Sequence, residues 1–284
     1  MRISLILATV DRTSELGRFL LALDAQPYRD VELIVVDQNS DDRLIPILGP
    51  YCRRLSIRHV RSDRGLSRAR NTGFSHVTGD IVGFPDDDCW YRENTLSHVA
   101  RLFSNTRLGG VTGRLVDAQG RDRGNARFDK EAGTVTLSNL WQRVNSSALF
   151  LRTSVTQAIG GFDETLGLGA GTAWEGAEDI DYPARALKAG FELYYTPDLS
   201  VVSLDRHPGD RQSRLTRTYA YGAGIGRVWR KHRFPWQVIA YYLARPVIGT
   251  VANFAAGRRP EAREHWHAFR GRLAGWRSSV EAVR

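Results

Sequence analysis

Ile3-Ser4-Leu5-Ile6-Leu7-Ala8, the stretch Ser14 to Ala25, and Val31-Glu32-Leu33-Ile34-Val35-Val36 decide the fold. The first run is apolar but for Ser4, and the third is rich in β-branched residues. Neither alternates a polar with an apolar face, so both read as strands of a parallel sheet covered on both sides. Between them, leucines and Phe19 recur at helical spacing, with Thr13 or Ser14 as the candidate N-cap. Strand, helix, strand is a βαβ unit.

The alternation continues outward. A helix is expected after Asp41, a strand over Ser56 to Arg61, a helix over Leu66 to His76, a short strand over Ile81 to Phe84 and a helix over Thr95 to Phe103. That is the order of a doubly wound α/β fold, in which ligands bind beyond the carboxyl ends of the strands. Thr9, Asp11, Asp37 and the Asp86-Asp87-Asp88 cluster all fall just after expected strands, so one crevice should collect them. The second half is less regular. Gly109 to Asp117 and Ser147 to Leu151 read as strands, Asp179 to Ala189 as a helix closed by Gly190, and Phe191 to Tyr195 as a short aromatic strand.

Composition sets outer bounds. A chain of 284 residues with 42% apolar and 10% aromatic residues has enough for one large folded domain, or one domain and a small appendage. Met1 to Val10 has no cleavage-site pattern and is followed by Asp11 and Arg12, so it is expected to be a strand and not a leader. Cys52 and Cys89 are too far apart to suggest a zinc pattern or a disulfide framework, which points to reduced thiols in a cytoplasmic protein. The net charge of +9 is unevenly spread. Met1 to Leu204 carries 24 basic and 26 acidic residues, whereas Asp205 to Arg284 carries 16 and 5. A near-neutral body with a basic tail implies an anionic surface near the tail or simply a solvated basic face.

Four groups of residues carry chemistry. Three adjacent carboxylates, Asp86-Asp87-Asp88, follow an apolar strand. Like charges cluster at a cost unless a cation or strong donors compensate, and carboxylates at i and i+2 on a turning backbone can reach one hard divalent ion. Asp37 can accept a hydrogen bond from a nucleobase or ribose, or cap the following helix. In Arg64-Gly65-Leu66-Ser67-Arg68-Ala69-Arg70, a glycine turn opens a helix whose free N–H groups and arginines suit a phosphate, or else form a basic face. Glu178-Asp179 follows the glycine-rich loop Gly167 to Gly171; acids there serve as dipole partners or as a general base.

Taken together these segments resemble the family 2 glycosyltransferases, inverting enzymes of the GT-A fold. Leu5-Ile6-Leu7-Ala8-Thr9-Val10-Asp11-Arg12 resembles the opening strand and turn, and Val35-Val36-Asp37-Gln38-Asn39-Ser40 the second strand. Gly65 with Ala69-Arg70-Asn71-Thr72-Gly73 resembles the third block, Asp86-Asp87-Asp88 the D-x-D metal motif, and Gly160-Gly161-Phe162-Asp163-Glu164 with Glu178-Asp179 the acceptor-side blocks.

The resemblance implies a mixed, mainly parallel sheet flanked by helices. Residues 1–210 would form the catalytic domain, with a nucleotide-binding half over 1–105 and an acceptor-side half over 106–210; residues 211–284 would be a helical, basic extension. Thr9, Asp11 and Asp37 would hold the nucleoside of a UDP-, GDP- or dTDP-sugar, and Arg12 would also contact the donor. Gly65 and Arg70 would lie near the ribose or diphosphate, and Asp86 and Asp87 near the ribose and donor sugar. Asp88, with Asp86 and His207, would hold Mn²⁺ or Mg²⁺. Asp179 would be the base with Glu178 beside it. Asp11 stands where asparagine is more usual, and Gln38 where an acid is common.

The expected activity is transfer of a sugar to a saccharide or lipid-linked hydroxyl acceptor with inversion, in bacterial-type cell-surface polysaccharide or glycolipid synthesis. A nucleotidyltransferase shares such a core and acidic site and remains the alternative; it would release pyrophosphate. A nucleic-acid-binding protein is disfavoured by the near-neutral body, and no nucleic acid is expected. In the tail, Pro235 to Ala256 is long and mostly apolar but interrupted by Arg245-Pro246. Arg258 to Arg284 is amphipathic and basic, with Trp266, Phe269, Leu273 and Trp276 at helical spacing. The two segments either lie at the interface of an anionic membrane, on its cytoplasmic face, or pack on protein. Oligomerisation is left open.

Overall fold

The computed structural model describes residues 1–123, 128–203 and 211–278. Contacts divide the chain into two compact units, Met1–Phe162 with Arg185–Arg206, and Asp163–Ala184 with His207–Arg284. Asp163–Ala184 thus groups with the C-terminal helices and not with the sheet.

The first unit runs β1 (Ile3–Thr9), α1 (Ser14–Asp24), β2 (Val31–Asp37), α2 (Ile45–Leu48), β3 (Ser56–Arg61), α3 (Leu66–Phe74), β4 (Ile81–Gly83), β5 (Cys89–Tyr91) and α4 (Thr95–Leu102). It continues with β6 (Leu108–Val116), β7 (Gly133–Thr134), α5 (Leu140–Arg143), β8 (Phe150–Arg152), α6 (Thr153–Ile159) and, after α7 (Glu178–Lys188), β9 (Glu192–Ser203). The strands form one sheet in the order β3-β2-β1-β4-β8-β6-β9-β5, with β7 paired to β9.

The β3-β2-β1-β4 half is parallel, as the apolar runs predict, and its register aligns Thr9 with Asp37 and Asp37 with Arg61. A single parallel bridge between Ala8 and Asp86 brings the acidic turn beside the end of β1. Leu16, Phe19, Leu20 and Leu23 of α1 and Leu5, Leu7, Leu33 and Val35 of the strands are buried in one cluster. Each is worth about 1.5–3 kcal/mol of burial. Helix α3 is seated directly on the sheet: a Cβ at Gly73 would lie 2.4 Å from Ile6 Cγ2.

The two polar residues inside the apolar runs have a shared reason. Ser4 donates to buried Glu32, which also accepts from the Thr78 backbone N–H at 2.7 Å and the Thr78 hydroxyl at 2.9 Å. Gly79 N–H in turn donates to Ser4 Oγ at 2.9 Å. The network ties the chain entering β4 to β1 and β2, and satisfies every group it buries.

The second half of the sheet departs from the expected pattern. Cys89–Tyr91 is a strand, antiparallel to β9, and β8 joins β4 and β6 antiparallel. Strand β9 continues well past Tyr195, through Thr196-Pro197-Asp198. Strand β9 accommodates Pro197 where the register against β6 shifts, and Arg114 Nε donates to the Pro197 carbonyl at 2.9 Å.

In the second unit, α8 (Arg211–His232), α9 (Trp236–Ala255) and α10 (Arg259–Arg277) form a helical assembly. The expected helical extension is thus present, and within it α8 runs through Gly222, Gly224 and Gly226, residues of low helix propensity. These glycines allow backbones to touch. A Cβ at Gly226 would lie 2.0 Å from the Arg272 carbonyl oxygen, and one at Gly275 would lie 1.9 Å from that of Ala223. Helix α9 continues through Pro246. Its exposed positions include Trp236, Tyr241, Val247, Ile248, Val251 and Phe254, which share one broad face. Both thiols are free, Cys52 exposed and Cys89 buried, and burial pushes the Cys89 thiol well above its ordinary pKa.

Candidate active site

The first unit brings the strand-end residues together. Thr9 at the end of β1 donates its hydroxyl to Asp87 Oδ2 at 2.7 Å. Arg12 Nη1 lies 2.7 Å from Asp87 Oδ1 and 2.7 Å from Asp88 Oδ2. On the other flank, Arg70 of α3 is 1% exposed and places Nη2 3.0 Å from Asp86 Oδ1, while Ser147 donates to Asp86 Oδ2 at 2.5 Å. Arg70 also lies over the Phe162 ring, 5.2 Å from its centroid.

The like-charged triplet is therefore held by two guanidiniums and two hydroxyls, the compensation that clustered carboxylates require. Asp87 is the most deeply buried of the three, and burial pushes its pKa up to about 6 against the pull of Arg12 and Thr9. Asp86 and Asp88 keep 35% and 22% of their side chains exposed, so these two acids, and not Asp87, are open to a ligand.

Asp37, at the end of β2, is fully buried. Its Oδ1 accepts from Asn39 N–H at 2.9 Å and Asn39 Nδ2 at 2.7 Å; its Oδ2 lies 2.8 Å from His59 Nε2 and 2.9 Å from Arg61 Nη1. All acceptor positions of the carboxylate are thus engaged. Gln38 Oε1 accepts from the Gly65 N–H at 2.8 Å, and Gly65 has φ +130°, so the turn into α3 needs a residue without Cβ. Asp11 takes φ +57°, which asparagine and aspartate tolerate better than most. Its N–H donates to Asn39 Oδ1 at 2.7 Å, and its exposed carboxylate takes Arg43 at 3.0 Å and Arg64 at 3.1 Å. One continuous polar network thus runs from Asp37 through Asn39 to Asp11.

Sequence reasoning missed Ser147, His59 and Arg61. The last two carry a signal, since they stand two apart on β3, on the side where Asp37 ends its neighbour. Ser147 carries none, because only the fold places residues 146–148 against the acidic turn.

Glu178 and Asp179 lie in the second unit, at the start of α7. Ala177 before them has φ +65°, a strained conformation for alanine. Glu178 is buried, and a Cβ at Gly167 (φ +94°) would come within 3.2 Å of its carboxyl group, so the glycine loop closes over it. Lys231 Nζ bridges Asp163 and Asp181 at 2.7 Å each, and His232 Nε2 lies 2.8 Å from Asp181. The start of α7 is thereby fixed to the end of α8. His207 lies outside the described residues.

Among the described residues no group of three or more His, Cys, Asp or Glu side chains is arranged to hold a metal ion by itself. The oxygen donors of Asp86 and Asp88 fit a hard divalent cation that takes one or two protein carboxylates and completes its shell with phosphate oxygens and water.

A mixed sheet with a parallel nucleotide-side half, an acidic turn at a strand end and flanking helices is the GT-A architecture. The solved mannosyltransferase PcManGT from Pyrobaculum calidifontis, in complex with GDP-Man and Mn²⁺, superposes with a TM-score of 0.67 at 18% identity, covering 96% of this chain and 86% of that one. TarS 1–349 from S. aureus in complex with UDP-GlcNAc superposes at 0.62 and 16% identity, covering 95% and 92%. The sequence profile of Glycosyl transferase family 2 matches residues 4–158, and the chain belongs to that family. It is 27% identical over 246 residues to the pre-mycofactocin glycosyltransferase of Mycobacterium tuberculosis, a match covering 81% of this chain and 48% of the relative. The chain thus spans about half the length of this curated relative.

Proposed function

We propose that the chain transfers a sugar from a nucleoside-diphosphate donor to a hydroxyl of a saccharide or lipid-linked acceptor, with inversion, in the synthesis of a cell-surface polysaccharide or glycolipid. The observation that carries this reading is the Asp86–Asp88 turn, docked beside the end of β1 and gripped by Arg12 and Arg70. It supplies carboxylates for a cation and guanidiniums for a diphosphate at one strand end, in a family whose relatives carry glycosyltransferase names.

In this reading residues 1–210 are the catalytic region. Asp37 shapes the nucleoside pocket through Asn39, His59 and Arg61, and Thr9 and Asp11 line its rim. Gly65 lets α3 approach the ribose and diphosphate. Asp86, held by Arg70 and Ser147, faces ribose and sugar, and Asp87 anchors Arg12. Asp88, with Asp86 and His207, would hold Mn²⁺ or Mg²⁺. Once bound, the ion offsets charge on the diphosphate leaving group. Asp179 removes the acceptor proton, supported by Glu178, as the hydroxyl attacks the anomeric carbon in one displacement. The glycosidic bond forms as the bond to the diphosphate breaks, and the nucleoside diphosphate leaves.

A screen of UDP-, GDP- and dTDP-sugars for metal-dependent binding, followed by NMR of the product, tests this. Release of a nucleoside diphosphate with an inverted anomeric centre is expected. Release of pyrophosphate, or a retained anomer, overturns it.

The apolar face of α9 supports a second element, peripheral attachment to the cytoplasmic side of an anionic membrane through residues 211–284. Helix α9 is 20 residues, about 30 Å, and is long and apolar enough to cross a bilayer. Its exposed apolar residues with Arg258, Arg259 and Arg263 close by favour a helix lying in the interface plane. Arg245 and buried Pro246 interrupt its apolar run.

A further inference from the structure

Pro246 inside α9 has no N–H, so the Tyr242 carbonyl four residues earlier has no helical donor. Arg272 of α10 fills the gap, with Nη1 donating to the Tyr242 oxygen. This explains why an arginine lies between two helices, but not why its charge is tolerated there. Arg272 Nε is buried without a hydrogen-bond partner among the described residues. No carboxylate among them pairs with Arg272 or with Arg245, one turn along α9 from Tyr242. Arg245 thus stands one helical turn from the carbonyl that Arg272 meets, and burial, then the charge of Arg245, pull the Arg272 pKa down to about 10. Arg245 is half-buried, its guanidinium 5.8 Å from the centroid of Tyr241, itself on the exposed apolar face.

Two neighbouring cations, both partly withdrawn from water and one with a buried, unpartnered Nε, are unfavourable without a counter-charge unless an anion joins them. We propose that Arg245 and Arg272 form a binding site for a phosphate group, presented by a lipid headgroup at the edge of the α9 apolar face. Arginine suits this ligand because its planar fork matches phosphate oxygens. The membrane reading enters only as the source of that phosphate; the cation pair stands without it.

The test uses the full chain with inorganic phosphate in solution and with vesicles of phosphatidylcholine, with and without phosphatidate. Arg272 also satisfies the Tyr242 carbonyl, so Arg245→Gln is the informative variant, with Arg245→Lys as the charge-conserving control and circular dichroism to confirm folding. The wild type should favour phosphatidate vesicles by about fivefold to thirtyfold over neutral ones, the scale set by one or two basic contacts. Arg245→Gln should keep binding to neutral vesicles and lose about fivefold of the preference, the remainder resting on Arg258, Arg259 and Arg263, and Arg245→Lys should keep most of it. If excess inorganic phosphate erases the wild-type preference, the site takes the free ion as well; if it does not, the lipid headgroup is the ligand. If the wild type binds no vesicle but still binds inorganic phosphate in an Arg245-dependent way, the membrane reading fails and the anion site stands. Arg245→Gln with an undiminished preference, or no Arg245-dependent binding in either arm, overturns the proposal.

Discussion

Arg12 Nη1 stands 2.7 Å from Asp88 Oδ2, so a side-chain cation already occupies the flank of the acid that a metal would bind. In the proposed site, arginine and metal would compete for one carboxylate. Arg12→Gln is expected to bind Mn²⁺ alone about fivefold more tightly, the scale of one partly exposed ion pair. It should bind the nucleoside diphosphate more weakly, because a diphosphate partner is gone. Calorimetric titrations of metal and nucleotide separately would show the two effects with opposite signs; a parallel loss of both would remove the competition.

Asp179→Asn should lower kcat by about 10²–10⁴, the range for a missing general base, with donor affinity unchanged. Single-turnover kinetics alongside equilibrium donor binding separates the two. Substantial turnover in the variant would move the base to another residue.

Glu32 gives a pH signature unrelated to catalysis. Burial acts to raise its pKa, but hydrogen bonds from Ser4 and Thr78 and the charge of Arg2 outweigh it, so the net shift is downward. A depressed folded-state value means the ionised carboxylate stabilises the fold above its unfolded pKa, and this contribution is lost as pH falls through the folded value. Glu32→Gln should destabilise the protein by about 1–3 kcal/mol at neutral pH, as expected for disturbed buried hydrogen bonds. The gap from wild type should narrow as pH drops below the ordinary carboxylate range. Urea midpoints across that range provide the measurement; a constant gap would mean that the carboxyl group's charge is irrelevant.

The contact between α8 and α10 leaves no room for a side chain. Gly275→Val should cost at least about 2–3 kcal/mol, since its Cβ would fall 1.9 Å from the Ala223 carbonyl and the helices would have to separate. Gly257→Ala at the end of α9 meets open space but has φ +72°, so it should cost only about 1 kcal/mol. Thermal melts of the two variants rank them, and equal losses would contradict backbone contact.

Ile248 and Phe254 are each 66% exposed on α9. Ile248→Glu with Phe254→Glu should lower co-sedimentation with anionic vesicles by at least about tenfold, because each change removes an apolar anchor and adds a repelled charge. If the variant instead shifts from dimer to monomer in ultracentrifugation while vesicle binding stays the same, a second copy of the chain covers this face.

The parallel half of the sheet was readable because its strands are continuous apolar runs with helices at regular spacing between them. Polar residues beyond those runs were legible too: Thr9 meets Asp87, and Arg12 and Arg70 flank the Asp86–Asp88 turn. The remainder depends on contacts distant in sequence. Cys89–Tyr91 is a strand only because β9 pairs with it, and Ser147 reaches Asp86 across 61 positions. The helical character of residues 211–284 was legible, but the reason for Gly222 and Gly226 was not, since only the close approach of α10 explains them. In each case a local signal gave way to a distant partner.

Cys52 and Cys89 have consequences for experiment. The buried thiol, with its ionisation suppressed, will react slowly with alkylating reagents, whereas the exposed one follows a short 3₁₀ helix, Gly49–Tyr51, just ahead of β3. A maleimide dye should therefore label the native protein at a single address without any engineering, a few residues before the strand that presents His59 and Arg61 to Asp37.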